Sequence, residues 1–142
     1  MWPLFFEERL RQWHDVRSSL GSHIGPEQLL IVNQWWWRAP MVNYSLHWND
    51  VNSWPTPWEL LTFDGYCNIS RALGMVYTLA LASPVLRDKI EMLHGHEATL
   101  VMINGYDHVL NWDPSAVAPI DLAEFVLIGT LDCSKILDWK NI

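Results

Sequence analysis

The segment Trp54–Cys67, Trp-Pro-Thr-Pro-Trp-Glu-Leu-Leu-Thr-Phe-Asp-Gly-Tyr-Cys, leads from a loop punctuated by proline and glycine into an apolar stretch with helical periodicity. The pattern predicts a helix that begins at Cys67, ends at Ser83-Pro84 and has one apolar face of Ile69, Leu73, Val76 and Ala80. A cysteine in the first turn of a helix lies beside unpaired backbone N–H groups, which stabilise the reactive thiolate. Cys67 is therefore a candidate nucleophile.

Two alternating segments downstream predict a pair of antiparallel strands. They run from His96 to Ile103 and from Tyr106 to Trp112, and Asn104-Gly105 between them is typical of a two-residue hairpin turn. Because such a turn brings the outer ends of its strands side by side, we expect His96 and Asp113 to be neighbours across the sheet. If the start of the Cys67 helix packs there, the three side chains form a thiol triad, with His96 as base and Asp113 orienting it.

The remaining segments predict an α+β order. Pro3 opens a first helix that Gly21 stops, Pro26 opens a second that runs to about Arg38, and a short helix covers 58–61 after a long loop at 41–57. The C-terminal part predicts a third strand from Ile120 to Ile128 and a helical turn from Cys133 to Trp139. The expected architecture is one domain over residues 1–142, with N-terminal helices and the Cys67 helix packed on a small antiparallel sheet.

Composition excludes several functions. The chain has 142 residues, half of them hydrophobic, and a net charge of -7, so it can bury a core but offers no basic surface for nucleic acid. No apolar run reaches membrane-spanning length and the N-terminus lacks a secretory pattern, which predicts no membrane span and a cytoplasmic location as synthesised. In that compartment a Cys67–Cys133 disulfide is not expected, and Cys133 is interpreted as an inert, packed thiol.

Tryptophan is unusually abundant. Eight of the ten indoles lie at or before Trp58, and three are consecutive, Trp35-Trp36-Trp37. Successive helical side chains point about 100° apart, so burying two of the three leaves one ring over. Beside Trp2, Trp13 and Trp48, that ring is expected to build an apolar patch, which predicts a protein–protein contact for residues 1–52.

Several short motifs in this order resemble one family. They are Leu30-Ile31-Val32-Asn33, Trp54-Pro55-Thr56-Pro57-Trp58-Glu59-Leu60-Leu61, Gly65-Tyr66-Cys67-Asn68, His96-Glu97-Ala98-Thr99-Leu100-Val101 and Asn111-Trp112-Asp113-Pro114. Together they are similar to the bacterial transglutaminase-like cysteine peptidases, which include periplasmic proteases that release biofilm adhesins. The resemblance implies a papain-like or transglutaminase-like fold, a protein or peptide substrate, and a triad of Cys67 as nucleophile, His96 as base and Asp113 as its orienting carboxylate.

The chain also departs from that family. Acidic residues usually flank the family's cysteine and help the adhesin proteases to hold calcium, whereas Tyr66, Asn68 and Ile69 stand here. We therefore expect no calcium, no other metal beside Cys67 and no cofactor. The missing export pattern argues against a periplasmic adhesin substrate. By resemblance to the wider fold, the second oxyanion donor lies about thirty residues before the cysteine, and the candidates there are Asn33, Gln34, Trp36 and Trp37.

The sequence leaves three functions open. The first is a cysteine-dependent acyl-transfer enzyme, a peptidase or amidase, since these chemistries and transglutamination share one constellation. The second is a non-catalytic structural or assembly subunit that retains the fold, for example in a phage virion, held by neighbouring subunits through its Trp-rich half. The third is a zinc hydrolase that uses His94, His96 and His108 with Cys67 or Asp113, although these residues lack the usual helical ligand pair.

Overall fold

The computed structural model describes residues 2–103, 108–119 and 125–136. Within these ranges the α-helices are α1 (Phe6–Leu20), α2 (Pro26–Trp37), α3 (Pro57–Leu60) and α4 (Asn68–Ala82). The predicted helices are therefore confirmed, with small shifts at their ends. Pro26 and Pro57 each occupy a first helical position, where a missing N–H costs nothing.

The described strands form one antiparallel sheet. They are β1 (Ile90–Gly95), β2 (Thr99–Ile103), β3 (Val109–Leu110) and β4 (Leu127–Asp132), and their order across the sheet is β3-β2-β1-β4. The molecule is thus α+β, as the sequence predicts. Short 3₁₀ turns at Val51–Ser53, Pro84–Leu86 and Cys133–Lys135 complete the described elements.

Helix α4 lies at the centre of the fold. Ile69 through Ala80 are all buried, and α4 contacts α1, α2 and α3 as well as β1 and β2. The approach of α2 is so close that a Cβ atom on Gly74 would lie 2.4 Å from the ring of Trp36. Trp36 and Trp13 both donate their indole N–H to the hydroxyl of Thr78, at 2.9 and 2.8 Å. Gly74 and Thr78 are therefore the positions of α4 against which the indoles of α1 and α2 pack.

Fewer tryptophan side chains in residues 1–52 are exposed than the sequence predicts. Trp35 and Trp36 are buried, and the ring left over, Trp37, is half-buried under the guanidinium of Arg71, 3.4 Å from the ring centroid. The other rings expected on the surface are covered as well, with Trp2 and Trp13 buried and Trp48 half-buried. The prediction of an exposed patch of indoles is wrong, because the rings pack on one another and on arginine side chains. A protein contact by residues 1–52 stays a prediction without this support.

Two of the strand predictions, those for the segments around His96 and Asn104-Gly105, differ from the structure. β1 was not predicted, and it pairs with β2 so that His96, expected to open a strand, lies in the turn between them. A two-residue turn at 104–105 would set 101 opposite 108, but Val101 lies opposite Leu110, so β2 and β3 pair in another register. The turn residues 104–107 lie outside the described part.

The third predicted strand, 120–128, is displaced. β4 begins at Leu127 and continues to Asp132, where the 3₁₀ turn Cys133–Lys135 follows. Residues 120–124 of the predicted strand, and 137–139 of the predicted C-terminal helical turn, lie outside the described residues. β4 pairs with β1, a partner far away in sequence.

These contacts bring the start of α4 to one end of the sheet, beside the β1–β2 turn. In the described parts of the chain, no helix combines the length and the apolar character that crossing a membrane requires.

Candidate functional site

Cys67 is the N-cap residue of α4. Its backbone is extended, and its own N–H donates to the hydroxyl of Ser70 at 2.8 Å. The preceding residue is fixed by two hydrogen bonds, because the Tyr66 N–H donates to Pro40 and the Tyr66 carbonyl accepts from Val42, both at 2.8 Å. The thiol is therefore held at the helix start by the chain on both sides of it.

Two serines and three backbone amides surround the thiol. The hydroxyls of Ser45 and Ser70 each lie 3.6 Å from the Cys67 sulfur and 2.6 Å from each other. Burial raises the pKa of the thiol, but N–H groups of Ser45, Ser70 and Leu46 and the Ser45 hydroxyl lower it more, to about 7. At neutral pH much of Cys67 is therefore thiolate, the form that reacts with electrophiles.

The thiol faces a cavity of about 170 Å³. Its walls come from the loop after α2, the start of α4 and the β1–β2 turn, and they include Asn43, Tyr44, Cys67, Ile69, His94 and His96. The structure thus brings two imidazoles and one thiol of lowered pKa to the same cavity, and one imidazole is enough to act as the base of a thiol nucleophile.

His94 lies near the end of β1. Its Nδ1 is 2.8 Å from the hydroxyl of Thr99, and its ring stacks on Trp48 with centroids 4.7 Å apart and planes 18° apart. Burial lowers the pKa of His94, and the charge of His96 lowers it further. The lowered pKa favours the neutral ring, and the contacts with Thr99 and Trp48 hold it in one orientation.

The sequence-predicted triad is only partly assembled. Cys67 and His96 line the same cavity, whereas Asp113 is not among the residues that line it. The carboxylate of Asp113 accepts hydrogen bonds from the backbone and hydroxyl of Ser115, both at 2.9 Å, and these lower its pKa. Among the described residues, no hydrogen bond joins this carboxylate to His96. The register of β2 and β3 differs from the predicted one, which removes the reason to expect them side by side.

The four oxyanion candidates lie elsewhere. The buried Asn33 side chain donates to the carbonyl of Asp113 and accepts from the N–H of Asn111, both at 2.8 Å, so it joins α2 to the end of the sheet. Trp36 is in the core, Trp37 donates to Asn33, and Gln34 is exposed. None of these residues lines the Cys67 cavity.

A buried polar cluster under the start of α4 was not predicted. Arg71 is 3% exposed, and its guanidinium donates to Asn111 Oδ1 at 2.6 Å and to Asn68 Oδ1 at 3.2 Å. Burial lowers the pKa of Arg71 to about 10, and a negative charge on Cys67 partly opposes that change. Coulomb attraction acts equally on both partners, so the guanidinium favours the thiolate.

Asn111 holds this cluster together. It has a positive φ of 68°, a conformation that asparagine tolerates better than most residues. Its side-chain amide donates to the carbonyls of Thr99, at 2.7 Å, and Asn68, at 3.0 Å. One amide therefore ties the start of α4 to strand β2.

The zinc alternative gains no support. Across the described ranges, no group of three or more His, Cys, Asp or Glu side chains could hold a metal ion. His108 lies at a separate surface cavity with Pro26, Leu30 and Val117, away from Cys67.

One sequence signal could have located part of the missed environment. Cys67-Asn68-Ile69-Ser70 has the spacing of a capping box, in which the fourth residue bonds back to the N-cap amide. The contributions of Ser45, Arg71 and Asn111 have no such local signature.

No protein-family model, curated protein or solved structure matches the chain, so the resemblance to the transglutaminase-like peptidases stays a prediction from the quoted motifs.

Proposed function

We propose that the protein is a cysteine-dependent acyl-transfer enzyme, a peptidase or amidase, with Cys67 as its nucleophile. One observation carries the proposal: a thiol with its pKa lowered to about 7 opens onto a cavity that it shares with His94 and His96. Perturbed thiols beside imidazole in a cavity are the usual composition of such sites. A transglutaminase-like fold, which also packs a nucleophile helix on an antiparallel sheet, is part of this proposal.

The reaction needs only groups of this chain and water. The imidazole takes the S–H proton, and the sulfur electron pair attacks the carbonyl carbon of an amide or ester, moving the carbonyl π electrons to oxygen. When the carbonyl re-forms, the bond to the amine or alcohol breaks, and the imidazolium supplies the proton that this leaving group needs. Water, deprotonated by the same imidazole, then attacks the thioester carbonyl. The C–S bond breaks, the carboxylic acid leaves, and the imidazolium returns its proton to the Cys67 thiolate.

The oxyanion needs donors close to the sulfur. The N–H of Cys67 already donates to Ser70, so it is not the donor. The next two backbone N–H groups, those of Asn68 and Ile69, lie in the first turn of α4, directly after Cys67. Amides in the first turn of an α-helix have no acceptor within the helix. We assign the oxyanion to these amides and to the helix dipole, in place of the four side chains predicted upstream.

The partner in this proposal is a protein or peptide substrate. The cavity walls near the thiol combine the exposed ring of Tyr44 with Ile69 and the amides of Asn43 and Asn68. Apolar side chains beside a few polar groups suit an acyl group with a small apolar substituent.

Reaction with p-nitrophenyl acetate tests the proposal. The expected result is a burst of one p-nitrophenolate per chain, with an acetyl group found on Cys67 by mass spectrometry and then lost by hydrolysis. Cys67→Ala should abolish the burst, and Cys133→Ala should keep it, because Cys133 is buried away from the cavity.

Absence of acetylation at Cys67 in folded wild-type protein would reject the enzyme proposal. The chain would then be better described by the second candidate, a structural or assembly subunit. Exposed apolar residues outside the cavity, Leu4, Phe5, Val126, Leu127 and Ile128, are compatible with contact to neighbouring subunits.

A further inference from the structure

His94 projects from the sheet toward the helix that carries Cys67. Side chains alternate along a strand, so Ile90, Met92 and His94 share one face of β1. Ile90 and Met92 belong to the same core as the buried residues of α4. His94 therefore continues this row at the end of the sheet where α4 begins, and it lines the cavity at the thiol.

Two neighbours fix the His94 ring. Thr99 lies directly opposite on β2, and its hydroxyl is 2.8 Å from Nδ1, while Trp48 stacks on the ring face. In the tautomer whose Nδ1–H donates to the Thr99 hydroxyl, Nε2 carries the lone pair and is the nitrogen that accepts a proton.

The strand and the thiol are held at a fixed spacing. Asn111 donates from one amide nitrogen to the carbonyl of Thr99 and to the carbonyl of Asn68, the first residue of α4. The residue that orients His94 and the residue next to Cys67 are therefore joined through a single buried side chain, which limits their relative motion.

His96 lacks such support. It is exposed in the β1–β2 turn, and its one hydrogen bond within the described chain runs from its backbone N–H to the carbonyl of Val126, at 3.3 Å. A base must be held with its lone pair toward the proton it takes, and nothing described around His96 does this.

We infer that His94, rather than His96, is the base that deprotonates Cys67, and that Thr99 and Trp48 are positioning residues for its ring. The inference rests on the proposed function, in which Cys67 is the nucleophile. In the molecules whose Cys67 is still a thiol, the S–H bond breaks, a bond from hydrogen to His94 Nε2 forms, and the electron pair stays on sulfur.

The other titratable groups near His94 fit this role. His96 and Glu97 line the same cavity, and Arg71 lies below Cys67 on α4. Burial and the charge of His96 lower the pKa of His94, which favours the unprotonated ring that a base needs. Arg71 stabilises the thiolate that results.

The test compares two histidine substitutions in the hydrolysis of the acetyl group on Cys67. We expect His94→Gln to slow deacylation about 100-fold, because the attacking water loses its base, and His96→Gln to change it by at most about fivefold, because His96 acts on the His94 ring only through its charge. Near-ultraviolet circular dichroism checks that each variant is folded.

A third variant and a spectroscopic readout keep the test independent of folding. Thr99→Val keeps the imidazole but removes its hydroxyl partner, and we expect a deacylation loss of about tenfold together with a changed ¹⁵N chemical shift of His94 Nδ1. With both histidines retained, Cys67→Ala should shift the NMR titration of the His94 ring.

The outcomes separate the two proposals. If wild type forms no acetyl-Cys67, the proposed function fails. If wild type is acetylated and hydrolysed, but His96→Gln is slow while His94→Gln resembles wild type, the function stands and the assignment of His94 is overturned.

Discussion

The two cysteines of this chain have similar positions and opposite chemistry. Cys67 caps α4 and Cys133 opens a 3₁₀ turn, and they are 5% and 0% exposed. Burial raises the pKa of both thiols. At Cys67 this effect is outweighed by hydrogen-bond donors, which bring the pKa to about 7, whereas at Cys133 the carboxylates of Asp132 and Glu91 raise the pKa further. The neighbouring groups, more than the place at a helix start, decide whether a thiol is reactive.

The structural elements that surround each cysteine explain the difference in pKa. α4 has fifteen residues whose dipoles align toward Cys67, while the 3₁₀ turn Cys133–Lys135 has three. The loop at Ser45 and Leu46 adds two further N–H donors at Cys67. A cation, Arg71, lies under the first turn of α4, where Cys133 has acidic neighbours instead.

The largest expected effect comes from Asn111→Ala. This change removes one of the hydrogen-bond acceptors of the buried Arg71 guanidinium, and it removes the side-chain donor to the carbonyls of Asn68 and Thr99. We expect a loss of about 2–4 kcal/mol in the free energy of unfolding, measured in urea, and slower alkylation of Cys67.

Asn43→Ala is the control for that variant, since Asn43 lines the cavity without belonging to the buried cluster. It should change the unfolding free energy by less than about 0.5 kcal/mol. Equal losses in both variants would mean that Asn111 does not organise the site.

A smaller effect is expected from Arg71→Met, which keeps the packing on Trp37 and removes the positive charge. The pKa of Cys67 should rise by about one unit, because the thiolate loses an attractive charge in a buried environment. The measurement is the pH dependence of alkylation.

Arg17→Met is the matched control, because Arg17 also stacks on an indole, Trp13, at 4.2 Å from the ring centroid but has no described contact with Cys67. A shift of the Cys67 titration in both variants would assign the effect to the loss of net charge on the protein instead.

The smallest effect is expected from Ser70→Ala. The N–H of Cys67 loses its acceptor and the sulfur loses one hydroxyl neighbour, while the backbone N–H of Ser70 remains. We expect about 1 kcal/mol less stability and a rise of under about one unit in the thiol pKa.

Thr56→Ala removes the corresponding cap of α3, where the hydroxyl accepts from the Glu59 N–H at 3.3 Å. It should reduce stability by a similar amount and leave the Cys67 titration unchanged. If Ser70→Ala likewise alters stability alone, the Ser70 hydroxyl only completes the capping box of α4 and has no part in activating the thiol.

The sequence was sufficient for the features that depend on local chain properties. Proline and glycine at helix boundaries and apolar periodicity predicted the helices, and the same signals placed Cys67 at a helix start. The sequence does not predict strand β1 because its residues, Ile-Glu-Met-Leu-His-Gly, alternate weakly. Its pairing with β2 is local, whereas its pairing with β4 joins distant segments.

The buried polar residues of the site could not be predicted from the sequence, because their hydrogen-bond partners are distant in the chain. Arg71 and Asn111 are 40 residues apart, and Asn33 and Asn111 are 78 apart. A buried arginine or asparagine is recognisable only when the fold brings its partners together. The sequence indicates His94 only as a zinc ligand, because it does not predict the strand that directs this side chain toward α4.

The most direct test of the central claim is the pH dependence of iodoacetamide alkylation at the two cysteines of the wild-type protein, followed by peptide mass spectrometry. Cys67 should react half-maximally near pH 7, and Cys133 should stay unmodified through pH 9 while the protein remains folded. Cys67 with the titration of an ordinary thiol, or two cysteines that react at equal rates, would contradict the account.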